Sequence, residues 1–126
     1  MKNKLQAQKL LDSIDALMSA FPDIFNPIRP KPLALGMTLQ LSNARRSGKL
    51  NISCAQQKMA MKYWVNRPIY RRAVAGTPFR YNLDGSVFGL ISDDHRQRAI
   101  DKLKAFRKGR MARKAAVYQS KMGVAA

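Results

Sequence analysis

The sequence predicts an α+β fold that is predominantly helical, with one small β-hairpin at about residues 79–91 packed among about five helices. Three observations carry that expectation. Apolar residues recur at helical spacing near the N-terminus and again after Ser92. A capping-box spacing and a proline-led restart divide the middle of the chain into short helices. The stretch FRYNLDGSVFGLI reads as two strands joined at Asp84-Gly85.

The first helix follows from Leu10, Leu11, Ile14, Leu17 and Met18, and should end near Phe21-Pro22. FPDIFNPIRPKP then holds four of the six prolines, which remove backbone donors and fix φ. It should be an ordered irregular connection pinned by Phe21 and Phe25. After Gly36, MTLQLSNARR forms a short helix that Ser47-Gly48 stops. Ser53 and Gln56 open the next helix, which runs through Met59, Met61 and Tyr63 to about Trp64. Asn66, a favoured N-cap, and Pro68, tolerated in a first turn, restart the chain as a fourth helix.

In the hairpin, Asp84-Gly85 suits a two-residue type I′ turn. That register pairs Leu83 with Ser86, Asn82 with Val87, Tyr81 with Phe88 and Arg80 with Gly89. Phe79, Tyr81, Leu83 and Phe88 then share one face, and Arg80 points to the other. Ser92 caps the last helix, with Asp93 and Asp94 in its first turn and Ala99, Ile100, Leu103 and Phe106 as its apolar stripe. Beyond Phe106 the basic tail is either a helical extension or a disordered arm. One domain of ordinary size results, with an N-terminal helix over 1–20, a body over 21–106 and a basic extension over 107–126.

Twenty-four Lys and Arg against seven Asp and Glu give a net charge of +17 and point to a polyanionic partner, nucleic acid first. Enzyme chemistry finds little support. His95 is the only histidine and reads as a capping or surface residue. Asp93 and Asp94 read as helix-capping acids, and Cys54, the single cysteine, lacks a partner for nucleophilic work or a disulfide. Neither a metal cluster, a cofactor nor a Gly-rich phosphate loop is expected. The N-terminal stretch is broken by charges and does not read as a signal peptide, and no apolar run reaches the roughly 18 residues of a membrane span. A cytoplasmic, monomeric binding protein is the expectation.

The binding residues cluster. Lys58 and Lys62 are one turn apart on a helix, Arg67, Arg71 and Arg72 follow, and Arg80 stands on the hairpin. Free amides from Asn66 to Ile69 at a helix start could hold an anion. Tyr70 could offer a ring for stacking and a hydroxyl for hydrogen bonding, and Gly89 opposite Arg80 could admit a sugar-phosphate chain.

The order FPDIF, KPLALG, WVNRPIYRR and FRYNLDGSVFGLISDDH resembles the ProQ/FinO family of bacterial RNA chaperones, in a short form little larger than the FinO domain. The likeness runs from about Phe21 to Leu103. It implies a compact FinO-like domain that binds the stem base and single-stranded 3′ end of terminator-type hairpins in small RNAs and mRNAs, in post-transcriptional regulation. Tyr70 and Arg80 would then lie in the pocket for the 3′ end, with backbone donors from Asn66. Lys58 and Lys62 fall on the family's helix cations, and Lys31 precedes its P-L-x-x-G element. Ala34 and Cys54 stand where some members have lysine. Two other readings remain: a helix-turn-helix DNA-binding protein built from the helices on either side of Asn66, and a basic ribosome-associated protein acting through the C-terminal arm.

Overall fold

What docks the first helix is visible in its inner face. In the computed structural model, which describes residues 2–121, α1 spans Lys2–Ala20 and packs against α3 (Cys54–Asn66). Ile14 and Leu17 enter the core, and Ser13 is buried without penalty because its hydroxyl donates to the Lys9 carbonyl at 2.6 Å. The proline-rich connection is ordered and irregular, as expected. The Asn26 side-chain oxygen accepts from the amides of Ile28 and Arg29, and buried Phe25 meets Trp64 edge-on with ring centroids 5.2 Å apart.

Between this connection and α2 (Met37–Arg46) the chain does something the sequence did not advertise. Pro32 to Ala34 run alongside β1 (Phe79–Tyr81): the Tyr81 amide donates to Pro32 O at 2.8 Å, and the Ala34 amide donates to Tyr81 O at 2.9 Å. One edge of the hairpin is thereby covered. Gly36, at φ 79°, turns the chain into α2, and Gly48, at φ 82°, turns it out. Ser53 and Gln56 form the complete capping box that opens α3. Buried Gln57 then ties α3 to α2, accepting from Arg45 Nε at 2.7 Å and donating to Thr38 O at 3.0 Å.

The junction to α4 (Pro68–Gly76) corrects the expected cap. Asn66 completes α3, and Arg67, extended at φ −69° and ψ 138°, serves as both the C-cap of α3 and the N-cap of α4 without a side-chain capping bond. Pro68 supplies the start, since its fixed φ and missing N–H suit a first helical position. A single junction residue is shorter than the three or four of a helix-turn-helix, and Tyr70 and Val74 of α4 are buried, so α4 is not placed as a recognition helix.

The hairpin forms with β2 at Val87–Leu90, but only part of the expected register holds. Phe79 pairs with Leu90 and Arg80 with Gly89, while Tyr81 pairs with Val87 and leaves Phe88 as a bulge. The cause lies in the turn. Only Gly85 has positive φ, at 91°, whereas type I′ needs it at Asp84 as well. The Gly85 amide donates to Asn82 O and the Asn82 amide to Ser86 O, giving a three-residue turn in place of a two-residue one. The faces are also unlike an ordinary hairpin: Phe79 and Phe88 stay 37% and 46% exposed, and Arg80 is the strand residue turned inward.

Ser92 Oγ accepts from the His95 amide to open α5 (Asp93–Lys121), and Asp93 and Asp94 occupy its first turn. The helix docks on α4, and Arg96 Nη1 donates to the carbonyls of Ala75 and Thr77, both at 3.0 Å, where α4 ends. Past Leu103 the helix continues to Lys121 with nearly every residue exposed, so the extension is helical.

The hairpin turn gives an acid-sensitive point. The Ser86 hydroxyl, and after it the Ser86 amide, donate to the Asp84 carboxylate and hold its pKa below the usual range. A lowered folded value means the turn is supported above the unfolded pKa and loses that support as the pH falls through the folded value. Protection of the Ser86 amide, taken as its exchange rate by NMR relative to the intrinsic rate at each pH from about pH 6 to about pH 2, should fall on acidification, and Asp84→Ala should remove that fall.

Candidate functional site

Leu33 is held from both sides of its peptide backbone. Its amide donates to the Tyr70 hydroxyl at 3.0 Å, and its carbonyl accepts from Arg80 Nη1 at 2.9 Å. The irregular connection, α4 and β1 thus meet at one residue. Arg80 continues the chain of bonds: Nη2 donates to His95 Nδ1 at 3.2 Å. A guanidinium can only donate, so Nδ1 is the acceptor and the ring proton is on Nε2. Arg80 is 8% exposed, and among the described residues its buried Nε has no hydrogen-bond partner.

Around this group is a hollow of 230 Å³ lined by Asn66, Tyr70, Arg71, Arg80, His95, Arg98 and Lys102, with Val65, Val74 and Ala99 as its apolar wall. Among the described residues, none that line it is acidic. A buried cation without a carboxylate is costly unless something else neutralises it. Asn66 orients the rim: its Nδ2 donates to Lys62 O at 2.7 Å, and its Oδ1 accepts from Arg71 Nη2 at 2.8 Å. The hollow therefore has the chemistry to accept an anion, with one buried donor group at its floor and three cations among its lining residues.

The site residues expected from sequence fall into three places. Asn66, Tyr70, Arg71 and Arg80 come together in this hollow. Lys62 and Arg67 line a second hollow of 570 Å³ with Tyr63 and Pro68, and Asn66 belongs to both, so the two adjoin. Arg67 is also fixed over the Trp64 ring at 5.1 Å. Lys58 and Arg72 are exposed outside both hollows, and Lys31 lies over the Tyr81 ring at 4.9 Å. His95, which reads from sequence as a capping or surface residue, joins this hollow with Arg98 and Lys102, which the sequence reading did not single out. A signal existed: all three lie within three turns of the start of α5.

Two expectations are corrected. Tyr70 is 7% exposed, so it lines the hollow with little of its ring open for a base to stack on, and its hydroxyl accepts from the Leu33 amide. The amides from Asn66 to Ile69 are mostly taken: Asn66 is the last residue of α3, the Arg67 amide donates to Trp64 O at 3.3 Å, and Pro68 has none. Gly89 does lie across from Arg80, and a Cβ there would meet no atom within 4 Å. Among the described residues no group of His, Cys, Asp and Glu could hold a metal ion, and no helix is long and apolar enough to cross a membrane.

With that geometry in place, comparison with known proteins is informative. A family model described as the ProQ/FINO family matches residues 7–116. The crystal structure of a FinO-like RNA chaperone from Neisseria meningitidis MC58 is similar with a TM-score of 0.64 at 20% identity, covering 79% of this chain and 79% of that one. The NMR solution structure of a ProQ homolog from Legionella pneumophila gives a TM-score of 0.58 at 21% identity, covering 77% of this chain and 81% of that one. No curated protein sequence matches the chain. At these identities the two structures establish likeness of fold, which bears out the helical α+β architecture with its single hairpin.

The Leu33 clamp makes alkaline stability a readout of the site. Burial, first, pushes the Tyr70 hydroxyl above its ordinary pKa, with the Leu33 amide and Arg80 pulling the other way. A raised folded value means its contribution is whole below about pH 10 and is lost as the pH climbs through the folded value. Tyr70→Phe should lose about 1–3 kcal/mol at neutral pH, because the Leu33 amide is left unpaired, and should lose this component of the alkaline decline. Urea unfolding at neutral and alkaline pH, followed by Trp64 fluorescence, measures both.

Proposed function

The chain belongs to the ProQ/FINO family, as its motifs led us to expect, and on that footing we propose that it is an RNA-binding chaperone whose Arg80 hollow receives the free 3′ end of a structured RNA. The observation that carries this reading is the buried Arg80 guanidinium, which faces no acid and is ringed by Arg71, His95, Arg98 and Lys102. A phosphate supplies the missing negative charge and accepts from donors that otherwise face each other.

Size favours a strand end. At 230 Å³ the hollow is smaller than the roughly 300–1,000 Å³ of pockets for drug-sized molecules, so it suits a terminal sugar-phosphate better than a stack of bases. The neighbouring hollow, with Lys62 and Arg67, takes the adjoining backbone at the base of a terminator-type stem. Lys58, one turn before Lys62, and Arg72 add exposed cations outside the two hollows, and Lys31 adds a cation near the Leu33 segment. Tyr70 acts by holding Leu33 and Arg80 in place. The protein works as a monomer on small RNAs and mRNA 3′ ends in the cytoplasm, and its role is binding rather than catalysis.

A terminator hairpin with its tail intact should bind more tightly than the same hairpin with the tail trimmed or the 3′ end blocked by a bulky group. Arg71→Ala and Arg98→Ala, at the mouth and off the core, should each cost about 1–3 kcal/mol of binding to the intact hairpin and little to the blocked one. Contact with about five phosphates gives a log–log salt slope near −3 to −5. Equal affinity for the three RNAs removes the 3′-end assignment.

A further inference from the structure

The distal half of α5 carries a face that lies exposed among the described residues. Ala99, Leu103 and Phe106, spaced four and three residues apart, form one apolar stripe of α5, which joins the core at Ala99. Burial declines along it: Ala99 is buried, Leu103 half-buried and Phe106 38% exposed. The same spacing continues through Arg110, Arg113 and Val117 to Lys121, so the stripe changes from apolar to basic where the helix leaves the body. Arg110, Arg113, Lys114, Val117, Tyr118 and Lys121 together border a shallow hollow of 390 Å³. Asp101 is the last acidic residue in the chain, so no carboxylate follows to offset these charges.

We propose that this face is a second RNA-binding surface and that its ligand is single-stranded RNA. It rests on the RNA-binding reading above but not on the Arg80 hollow. Charge complementarity selects a polyanion: Arg110 and Lys114 are one turn apart and repel each other until phosphates lie between them. A second copy of this chain, itself at +17, does not meet that need. The aromatic ring selects among polyanions. Tyr118 is 66% exposed beside the cations, and a single strand presents base faces to stack on it, whereas a duplex presents mainly phosphates and hides its bases. From Arg107 to Lys121 the arm extends about 22 Å, enough to follow several nucleotides. A protein holding one RNA by its end and a second strand on the arm brings two strands together, which is what pairing them requires.

The test uses the full chain and three probes: an unstructured RNA of about 12 nucleotides with a blocked 3′ end, a blunt RNA duplex, and a terminator hairpin with a short tail. Tyr118→Ala should weaken binding of the blocked single strand about fivefold or more, with Tyr118→Phe restoring it and duplex and hairpin affinities staying within about twofold. Arg110→Ser with Arg113→Ser should weaken the single strand further, and Arg98→Ala should do the reverse, affecting the hairpin and sparing the single strand. These side chains are exposed, so each variant folds around an unchanged core. An unchanged single-strand affinity in Tyr118→Ala, or an equal loss on the duplex, overturns the proposal. Hairpin binding with no single-strand binding in the unmodified protein also overturns it and leaves the proposed function standing, whereas no binding to any RNA overturns the proposed function itself.

Discussion

The clamp on Leu33 is what the rest of the molecule is arranged around. Tyr70 takes its amide and Arg80 its carbonyl, so a proline-rich segment that cannot form regular structure is fastened to a helix on one side and a strand on the other. His95 then joins α5 to the same group. Four separate parts of the chain depend on a guanidinium that is buried, lacks an acidic partner among the lining residues and leaves its Nε unbonded. Apolar residues at this position would serve packing better. A costly buried charge held so firmly is a sign that the position answers to a ligand as well as to the fold.

How far the sequence spoke depended on whether a feature was local. The Ser53–Gln56 capping box, the Gly48 stop, Pro68 at a helix start and the acids that open α5 each depend on a few neighbouring residues, and each is where the pattern placed it. The hairpin was legible as a hairpin, but its register hung on the sign of φ at Asp84, which composition does not fix, and one residue more in the turn displaced Tyr81 from Phe88 to Val87. The candidate site was half legible. Arg71 and Asn66 are neighbours through local geometry, and Arg80 and Tyr70 were found on motif.

What stayed hidden depends on distant contacts. Arginines normally face water, so the inward turn of Arg80 could not be read from its strand, and it exists because Leu33, distant in sequence, offers a carbonyl there. The burial of Tyr70 has the same origin, since the ring lies under the segment it fastens. His95 looks from sequence like an ordinary first-turn residue, and it is the docking of α5 on α4 that accompanies its contact with Arg80. The positive charge is distributed with similar economy: Arg67 and Lys31 lie over aromatic rings, which fixes their heads in direction without neutralising them. The resulting field draws polyanions from a distance, while the hollow decides which part of them docks.

One feature of α5 reaches beyond its own contacts. It begins at Asp93, meets Arg80 through His95 in its first turn, and runs unbroken to Lys121, so the receptor hollow and the free arm are two ends of one stiff rod. Gly109 lies near the point where the rod leaves its support, and glycine resists bending less than any residue that could replace it there. A load on the outer end is therefore either transmitted as torque to the histidine–arginine contact or absorbed at that joint. The stiffness of a single turn sets how much mechanical conversation the two ends can have.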